Sequence, residues 1–414
     1  MVRSRGFKVQ ERVETALRRI FDNIRILGIE TANLYNCVGR VLAENIFSEF
    51  DIPRFDRSAM DGYAVLAEDT FGASDMNPVL IKLIGEVRVG EVPNFDVSSG
   101  FAVRIFTGSA LPKGANAVVP LEFSEIAGEY IKIFRSVTPY KNVSRAGEDL
   151  RKGELVLRRG EILQPQDAGI LASLGFETVK VYRKPKVAVI STGDELVEPG
   201  KKLEGAKIYN SNNPMICNAL LELGFYSVSL GIVKDKFEEI ERKLFDGLQY
   251  DMVVFTGGTS VGERDLVPEV VEKYGNILFH GVAMKPGMPT AFGLVDNKPV
   301  FMLPGSPAAC LLAFNTFVIP ALYRMMNVRI VERKGTVKKG ILESRIPSEL
   351  GVRSIVRVYW DNGKVFPIQI SGSSVLSSLV RANAILIVPE DLEGYEAGEE
   401  VEVRLIRDIT EVFE

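Results

Sequence analysis

Histidine is almost missing from this chain: His280 is the only one in 414 residues. That leaves very little material for imidazole-based acid–base or metal chemistry, and carboxylates and lysines must carry any catalysis. Cysteine is scarce as well. Cys37, Cys217 and Cys310 are an odd number without a short paired spacing, which excludes a disulfide framework and a thiolate zinc site and predicts a reducing cytoplasm. Neither sign of charge dominates: 50 Lys plus Arg stand against 54 Asp plus Glu, a formal net charge of -4. That balance argues against a nucleic-acid partner held by counterion release, so an anionic substrate needs a local basic pocket. Long apolar runs are lacking too. Residues 1–27 carry charges throughout, unlike a signal peptide, and Asn315 and Pro320 interrupt the most apolar later stretch, residues 308–323, so no membrane partner is expected.

What is present is a globular composition, 46% hydrophobic and 25% charged, long enough for two to four domains at about 150 residues each. Val13, Leu17, Ile20, Phe21, Ile24 and Leu27 recur at helical spacing, predicting an amphipathic helix over residues 10–27 with Gly28 as its C-cap. Between residues 52 and 145 short Val/Ile/Phe runs broken by Gly, Pro and Asn, such as 79–89 and 101–106, read as a small inserted β domain. Residues 150–181 open like a hairpin, continue as a helical turn ending at Gly175, and return to the N-terminal segment. The expected division is 1–51 with 146–182 as a discontinuous mixed α/β domain, 52–145 as the insertion, 183–330 as an α/β domain and 331–414 as a β-barrel-like domain.

The most legible stretch begins after Lys184-Pro185-Lys186. Strands at 187–190, 226–233, 252–255, 290–294 and 300–303 alternate with helices at 214–223, 237–248, 267–274 and 307–326, which predicts a doubly wound, mostly parallel sheet. Asn213 before Pro214 and Ser306 before Pro307 read as side-chain caps with proline at the first helical position. Beyond residue 332 strands return: 354–360 and 365–370 flank Asp361-Asn362-Gly363-Lys364, a hairpin signal, and 400–406 closes the domain.

Three loops are expected at one edge of the parallel sheet, where open α/β sheets bind ligands. Strand 252–255 empties into Thr256-Gly257-Gly258-Thr259-Ser260-Val261-Gly262-Glu263-Arg264-Asp265, whose glycines let backbone amides approach a phosphate. Strand 187–190 runs into Ser191-Thr192-Gly193-Asp194-Glu195-Leu196, and strand 300–303 into Pro304-Gly305-Ser306-Pro307. Each loop alone is no more than a turn. Two acidic loops facing one crevice point to a divalent cation between carboxylates and phosphate oxygens. A helix N-terminus favours an anion by roughly 0.3–1 kcal/mol, about 2 when partly buried, against about 8 for micromolar binding, so several loops must converge on a large anion. Lys285, stiffened by Pro286, Gly287 and Pro289, adds a cation at that edge. Elsewhere Asp61, in Arg57-Ser58-Ala59-Met60-Asp61-Gly62-Tyr63-Ala64, sits in a segment too polar for a strand core; its plain reading is a turn in which the carboxylate bonds its own backbone. Gly258-Thr259-Ser260-Val261-Gly262 also fits a nucleophile elbow, but a serine hydrolase built on Ser260 would have to use His280, and Glu263-Arg264-Asp265 stands where the elbow needs a helix.

Read in order, these motifs resemble the molybdopterin molybdenumtransferases, called MoeA in bacteria and represented by the E domain of gephyrin in animals. The likeness runs from Asp51-Ile52-Pro53 to Ala382-Asn383-Ala384. It is carried by residues 58–64, Thr107-Gly108 with Pro112-Lys113-Gly114-Ala115-Asn116-Ala117-Val118-Val119, Gly147-Glu148-Asp149, residues 191–196, the loop ending at Asp265, and Leu303-Pro304-Gly305. The resemblance implies an L-shaped, four-domain subunit with a MogA-like α/β domain, acting as a homodimer with its active site at the subunit interface. It implies that adenylated molybdopterin and molybdate or tungstate are substrates, that Mg2+ assists, and that AMP leaves. The family's functional residues fall on Asp61, Thr107, Asp149, Glu195, Asp235, Asp265 and Lys285, with Glu195, Asp235 and Asp265 as magnesium ligands. Substrate binding falls on Gly257, Gly258, Thr259, Ser260, Gly262, Pro304, Gly305 and Ser306. The oxyanion falls near Lys285 and Pro289, with Arg357, Ser373 and Ser374 of the last domain as candidate substitutes where the chain departs from its relatives. Two positions depart from many relatives, Met288 where a second basic residue stands and Ala309 where a serine stands, and both lie near the oxyanion. A non-catalytic pterin-binding or scaffold protein is the alternative; the chain shows no repeat or linker for multivalent assembly.

Overall fold

The computed structural model describes residues 10–258, 266–328, 337–368 and 375–407. The chain forms two compact units, one of residues 1–31, 39–41 and 180–414 and another of 32–38 and 42–179.

The first unit is organised by a six-stranded sheet in the order Tyr226–Val233, Lys186–Thr192, Met252–Thr256, Lys298–Leu303, Ala291–Val295, Gly275–His280. The first four are mutually parallel and the last two are added antiparallel. Val187, Ala188, Val189 and Ile190, and Met252 to Phe255, are fully buried, as strands covered on both faces require. Helices Asn212–Glu222, Phe237–Gly247 and Leu266–Tyr274 supply the connections. Strand Gly275–His280 was not expected from the sequence. Helix Leu266–Tyr274 passes into it with no intervening turn to mark a boundary, and Gly275 lies so close to its neighbour that a Cβ would stand 1.9 Å from the Leu294 carbonyl oxygen.

Three other expectations need correcting. The first helix spans only Val13–Asn23, because Ile24 adopts an extended backbone and turns into the core at 5% exposure; Gly28 therefore caps nothing. Asn213 is no cap, since its helix starts at Asn212, and its backbone N–H donates to Asn210 Oδ1 at 3.3 Å. Ser306 holds the N-cap position before Pro307 but its hydroxyl makes no capping bond. The last helix, expected over 307–326, is continuous across Asn315 and Pro320. It runs from Pro307 to Met325 through a π turn at Phe314–Val318, which precedes the proline that lacks an N–H. That helix is long and apolar enough to cross a membrane, and 61% of its most apolar window is buried within the protein, as in a core helix.

In the same unit strands Arg353–Asp361, Lys364–Pro367, Val337–Leu342, Glu400–Leu405 and Ala384–Val388 close into a ring, because the first also pairs with the last. Asn362 and Gly363, both at positive φ, form the two-residue hairpin turn that the sequence announced. Met284–Lys285 adds to this ring, parallel to Arg353 and Ser354.

The second unit holds a six-stranded sheet in the order Ala117–Pro120, Gly62–Val65, Phe101–Ile105, Val79–Val87, Tyr130–Ile133, Ser124–Ala127. The segment after Asp61, expected to be too polar for a core strand, contains a strand buried along its whole length, Gly62–Val65. Gly62 is what lets it pack, since a Cβ there would meet the Val119 carbonyl oxygen at 2.0 Å. Helix Pro165–Ser173 is closed by a capping box of Gln164 and Asp167 and is followed by Gly175 at φ 86°.

Candidate functional site

The three loops do converge. Strands Lys186–Thr192, Met252–Thr256 and Lys298–Leu303 end side by side, and their loops line one cavity of about 700 Å³ through Thr192, Gly193, Glu195, Gly257, Gly258, Pro304, Gly305 and Ser306. Glycine is required at the centre. Gly257 and Gly258 lie at φ 94° and 65°, and Cβ atoms there would stand 2.6 Å from the Thr192 carbonyl oxygen and 2.7 Å from its Oγ1. Asp235 lines the same cavity, half-buried, and Glu195 lines it exposed. Thr259, Ser260, Gly262 and Asp265 lie outside the described residues, as does the elbow serine that a hydrolase would need. His280 ends the antiparallel edge strand opposite Ala291. Among the described residues no group of three or more His, Cys, Asp or Glu is arranged to hold a metal ion; of the expected magnesium set, two members share the cavity.

Beneath the loops runs a buried polar network that the sequence did not disclose. The Ser191 hydroxyl donates to Asn210 Oδ1 at 3.0 Å and lies 2.8 Å from the Thr256 hydroxyl. Asn212 Nδ2 donates to the Gly305 carbonyl at 2.8 Å, and Asn213 Nδ2 to the Val189 carbonyl at 3.3 Å. Residues 208–213 thereby tie the three strand ends together. The signal was the cluster Asn210-Ser211-Asn212-Asn213, more carboxamides than one helix cap can use.

A second cavity of about 750 Å³ shares Pro289 and Ser306 with the first and is lined by Lys285, Met288, Ala309 and Arg357. Arg357 is only 8% exposed; its Nε donates to Ser378 Oγ at 3.2 Å, and among the described residues no carboxylate partners it. Burial holds its guanidinium below the ordinary arginine range. Lys285 is exposed and paired with Glu349 at 2.8 Å, so Arg357 is the buried cation of this cavity. Ser373 and Ser374 lie outside the described residues.

In the second unit Asp61 does not bond its own backbone. Its Oδ1 accepts from the Thr107 N–H at 2.8 Å and the Thr107 hydroxyl at 2.7 Å, and those bonds keep its carboxyl below the ordinary range. Asp149 is exposed, its N–H donating to the Ile52 carbonyl at 3.0 Å. Strand Arg57–Ser58 links the two segments: Ser58 accepts from the Gly108 N–H at 2.7 Å and pairs with Val143, ahead of the Asp149 turn.

A doubly wound α/β domain whose strand-end loops line a cavity, accompanied by small β sheets, defines a multidomain α/β protein with its cavity where open α/β sheets bind ligands. Family models match along the chain: the MoeA N-terminal region (domain I and II) at residues 11–175, a probable molybdopterin binding domain at 188–324 and the MoeA C-terminal region (domain IV) at 339–406. A putative molybdopterin biosynthesis protein of Methanocaldococcus jannaschii is 40% identical over 92% of each chain. The molybdopterin molybdenumtransferase of Bacillus subtilis is 35% identical over 96% of this chain and 94% of its own. The crystal structure of a molybdopterin biosynthesis MoeA protein from Pyrococcus horikoshii matches with a TM-score of 0.82 at 40% identity, over 96% of this chain and all of that one. The chain belongs to the MoeA family of molybdopterin molybdenumtransferases, enzymes of molybdenum cofactor biosynthesis.

Proposed function

We infer that this enzyme inserts molybdate or tungstate into adenylated molybdopterin, with cleavage of the adenylate and release of AMP. The observation that carries the reading is the pair of adjoining cavities: one polar and backbone-built, suited to a phosphorylated heterocycle, the other holding a buried guanidinium with no carboxylate partner among the described residues, suited to a free oxyanion. Their shared residues, Pro289 and Ser306, support seating the oxyanion beside the pterin.

Glu195 and Asp235 are hard oxygen donors on the wall of the first cavity and fit Mg2+, with Asp265 as the third expected ligand. Bound there, the ion would neutralise phosphate charge. The helix start at Ser306, whose hydroxyl makes no capping bond, offers backbone N–H groups to the phosphates, while the Gly257 N–H is held by the Leu303 carbonyl at 3.0 Å. Arg357 draws in and orients the oxyanion, and Asp61, kept ionised by Thr107, is available to hold or accept a proton. Asp149 and Lys285 complete the assigned set. The enzyme is read as a cytoplasmic homodimer with its active site at the subunit interface, each subunit divided at residues 51/52, 145/146, 182/183 and 330/331.

AMP release from adenylated molybdopterin with Mg2+, compared with molybdate, tungstate and neither, tests this reading. Oxyanion-dependent release is expected, and Asp265→Asn should abolish it in a folded protein. Absence of release under every condition would leave a pterin-binding protein without this transfer.

A further inference from the structure

Among the described residues seven buried side-chain polar atoms have no hydrogen-bond partner, and three of them, Thr192 Oγ1, Asn210 Nδ2 and Asn212 Oδ1, belong to residues lining the polar cavity. Unmatched buried amides are rare enough in folded proteins to need a reason, and their concentration at one cavity supplies it. The two asparagines are not free to turn their amides over. Asn210 Oδ1 accepts from the Asn213 backbone N–H, which can only donate, so the group left over on Asn210 is its NH2, a donor. Asn212 Nδ2 donates to the Gly305 carbonyl, which can only accept, so the group left over on Asn212 is its carbonyl, an acceptor. Both side chains are more than nine-tenths buried, and the Thr192 hydroxyl, 3% exposed, can serve in either sense.

We propose that Asn210 and Asn212 are specificity-determining residues, a donor and an acceptor of fixed orientation that read the hydrogen-bonding edge of the planar heterocycle carried by the substrate. The proposal rests on the reading of this cavity as the substrate site. An aminopyrimidinone edge of a pterin and the amidine edge of adenine share the required chemistry, each presenting a donor and an acceptor side by side. A site built to match such an edge discriminates strongly against partners that lack it, because its own polar groups are then left unmatched. The test separates these two sources.

Asn210→Asp is the informative variant, because it keeps the oxygen that accepts from Asn213 and Ser191 while converting the free donor into an acceptor. Binding of two probes, neopterin monophosphate and AMP, is measured by titration calorimetry on the full chain, alongside Asn218→Ala, whose exposed side chain bonds only within its own helix. The expected result is weakening of one probe by about tenfold or more relative to the other; the buried carboxylate lowers the melting temperature, which affects both probes alike, so the ratio of the two affinities is the readout. Loss confined to neopterin monophosphate assigns the edge to the pterin; loss confined to AMP assigns it to adenine. Unchanged binding of both, or an equal loss of both, would overturn the edge-reading role. Failure of the unaltered protein to bind either probe would remove the substrate-site reading as well, which separates the two failures.

Discussion

The two adjoining cavities share a wall and are built on opposite principles. In the polar cavity the ligand-facing groups are glycine backbone, hydroxyls and carboxamides, held by strand ends and by one another, so no uncompensated charge is buried. In its neighbour prolines, methionines and aliphatic side chains surround a single buried guanidinium whose one bond among the described residues is to the neutral Ser378 hydroxyl. The first resembles a mould whose shape is set when the sheet forms. The second is an electrostatic debt carried by the folded protein until an anion arrives. Mutations should therefore separate them: at the glycine turns of the first cavity binding and stability should fall together, and at the guanidinium of the second they should move in opposite directions.

Gly257→Val should have the largest effect. It forces a branched residue into φ 94° and drives a Cβ to within 2.6 Å of the Thr192 carbonyl. A loss of about 2–4 kcal/mol of stability is expected from strain and overpacking, with no measurable pterin binding in calorimetry. Arg357→Met should lower the oxyanion-dependent rate by about a hundredfold or more while stability, followed by denaturant unfolding, rises by about 1 kcal/mol. A fall in stability on that change would mean that the guanidinium is a structural prop, and the contrast between the cavities would collapse.

The central sheet was legible because its strands are apolar runs bounded by loop residues, and five of its six were placed to within about three residues. Its sixth, the edge strand Gly275–His280, follows a helix without punctuation and could be found only by seeing what strand Ala291–Val295 pairs with. In the site the loops were legible and the floor was not. Gly257-Gly258 and Pro304-Gly305-Ser306 announce themselves by composition, whereas Asn210 and Asn212 read as the start of a helix. Their amides acquire a role only when Ser191, distant in sequence, and Gly305 are brought beside them. Likewise the partner of Asp61 is Thr107, 46 residues away, which a local turn rule cannot supply.

The far end of the same sheet offers a control that should touch neither cavity. Asp251 receives two bonds from Arg183, both at 2.7 Å, and one from the Lys186 N–H at 2.8 Å, where strand Lys186–Thr192 begins. Burial alone would raise this carboxyl, but the Arg183 guanidinium and the Lys186 N–H hold it below the ordinary range. Its contribution is present above the unfolded aspartate pKa and is lost as pH falls through the lower folded value, below about pH 4. Asp251→Asn should cost about 1–2 kcal/mol at pH 7, the pair being partly exposed, and should flatten the acid limb of the stability profile, leaving ligand affinities unchanged. Altered affinity would show that strain travels the length of the strand.

Thr107→Val should have the smallest effect and is the sharpest test of how the second unit presents its acid. The substitution removes the hydroxyl that donates to Asp61 Oδ1 but keeps the backbone N–H, so the carboxylate loses one of two bonds and none of its exposure. The Asp61 pKa, held low mainly by the Thr107 hydroxyl and then by the Thr107 N–H, should move upward toward the ordinary aspartate value, which a carboxyl-carbon NMR titration reads directly. Global stability should not change, because an exposed carboxylate is well solvated in the folded and unfolded chain alike. A drop in AMP release that follows the displaced titration would make ionised Asp61 a working part of the reaction. An equal drop at every pH would instead assign the hydroxyl a positioning role independent of the proton.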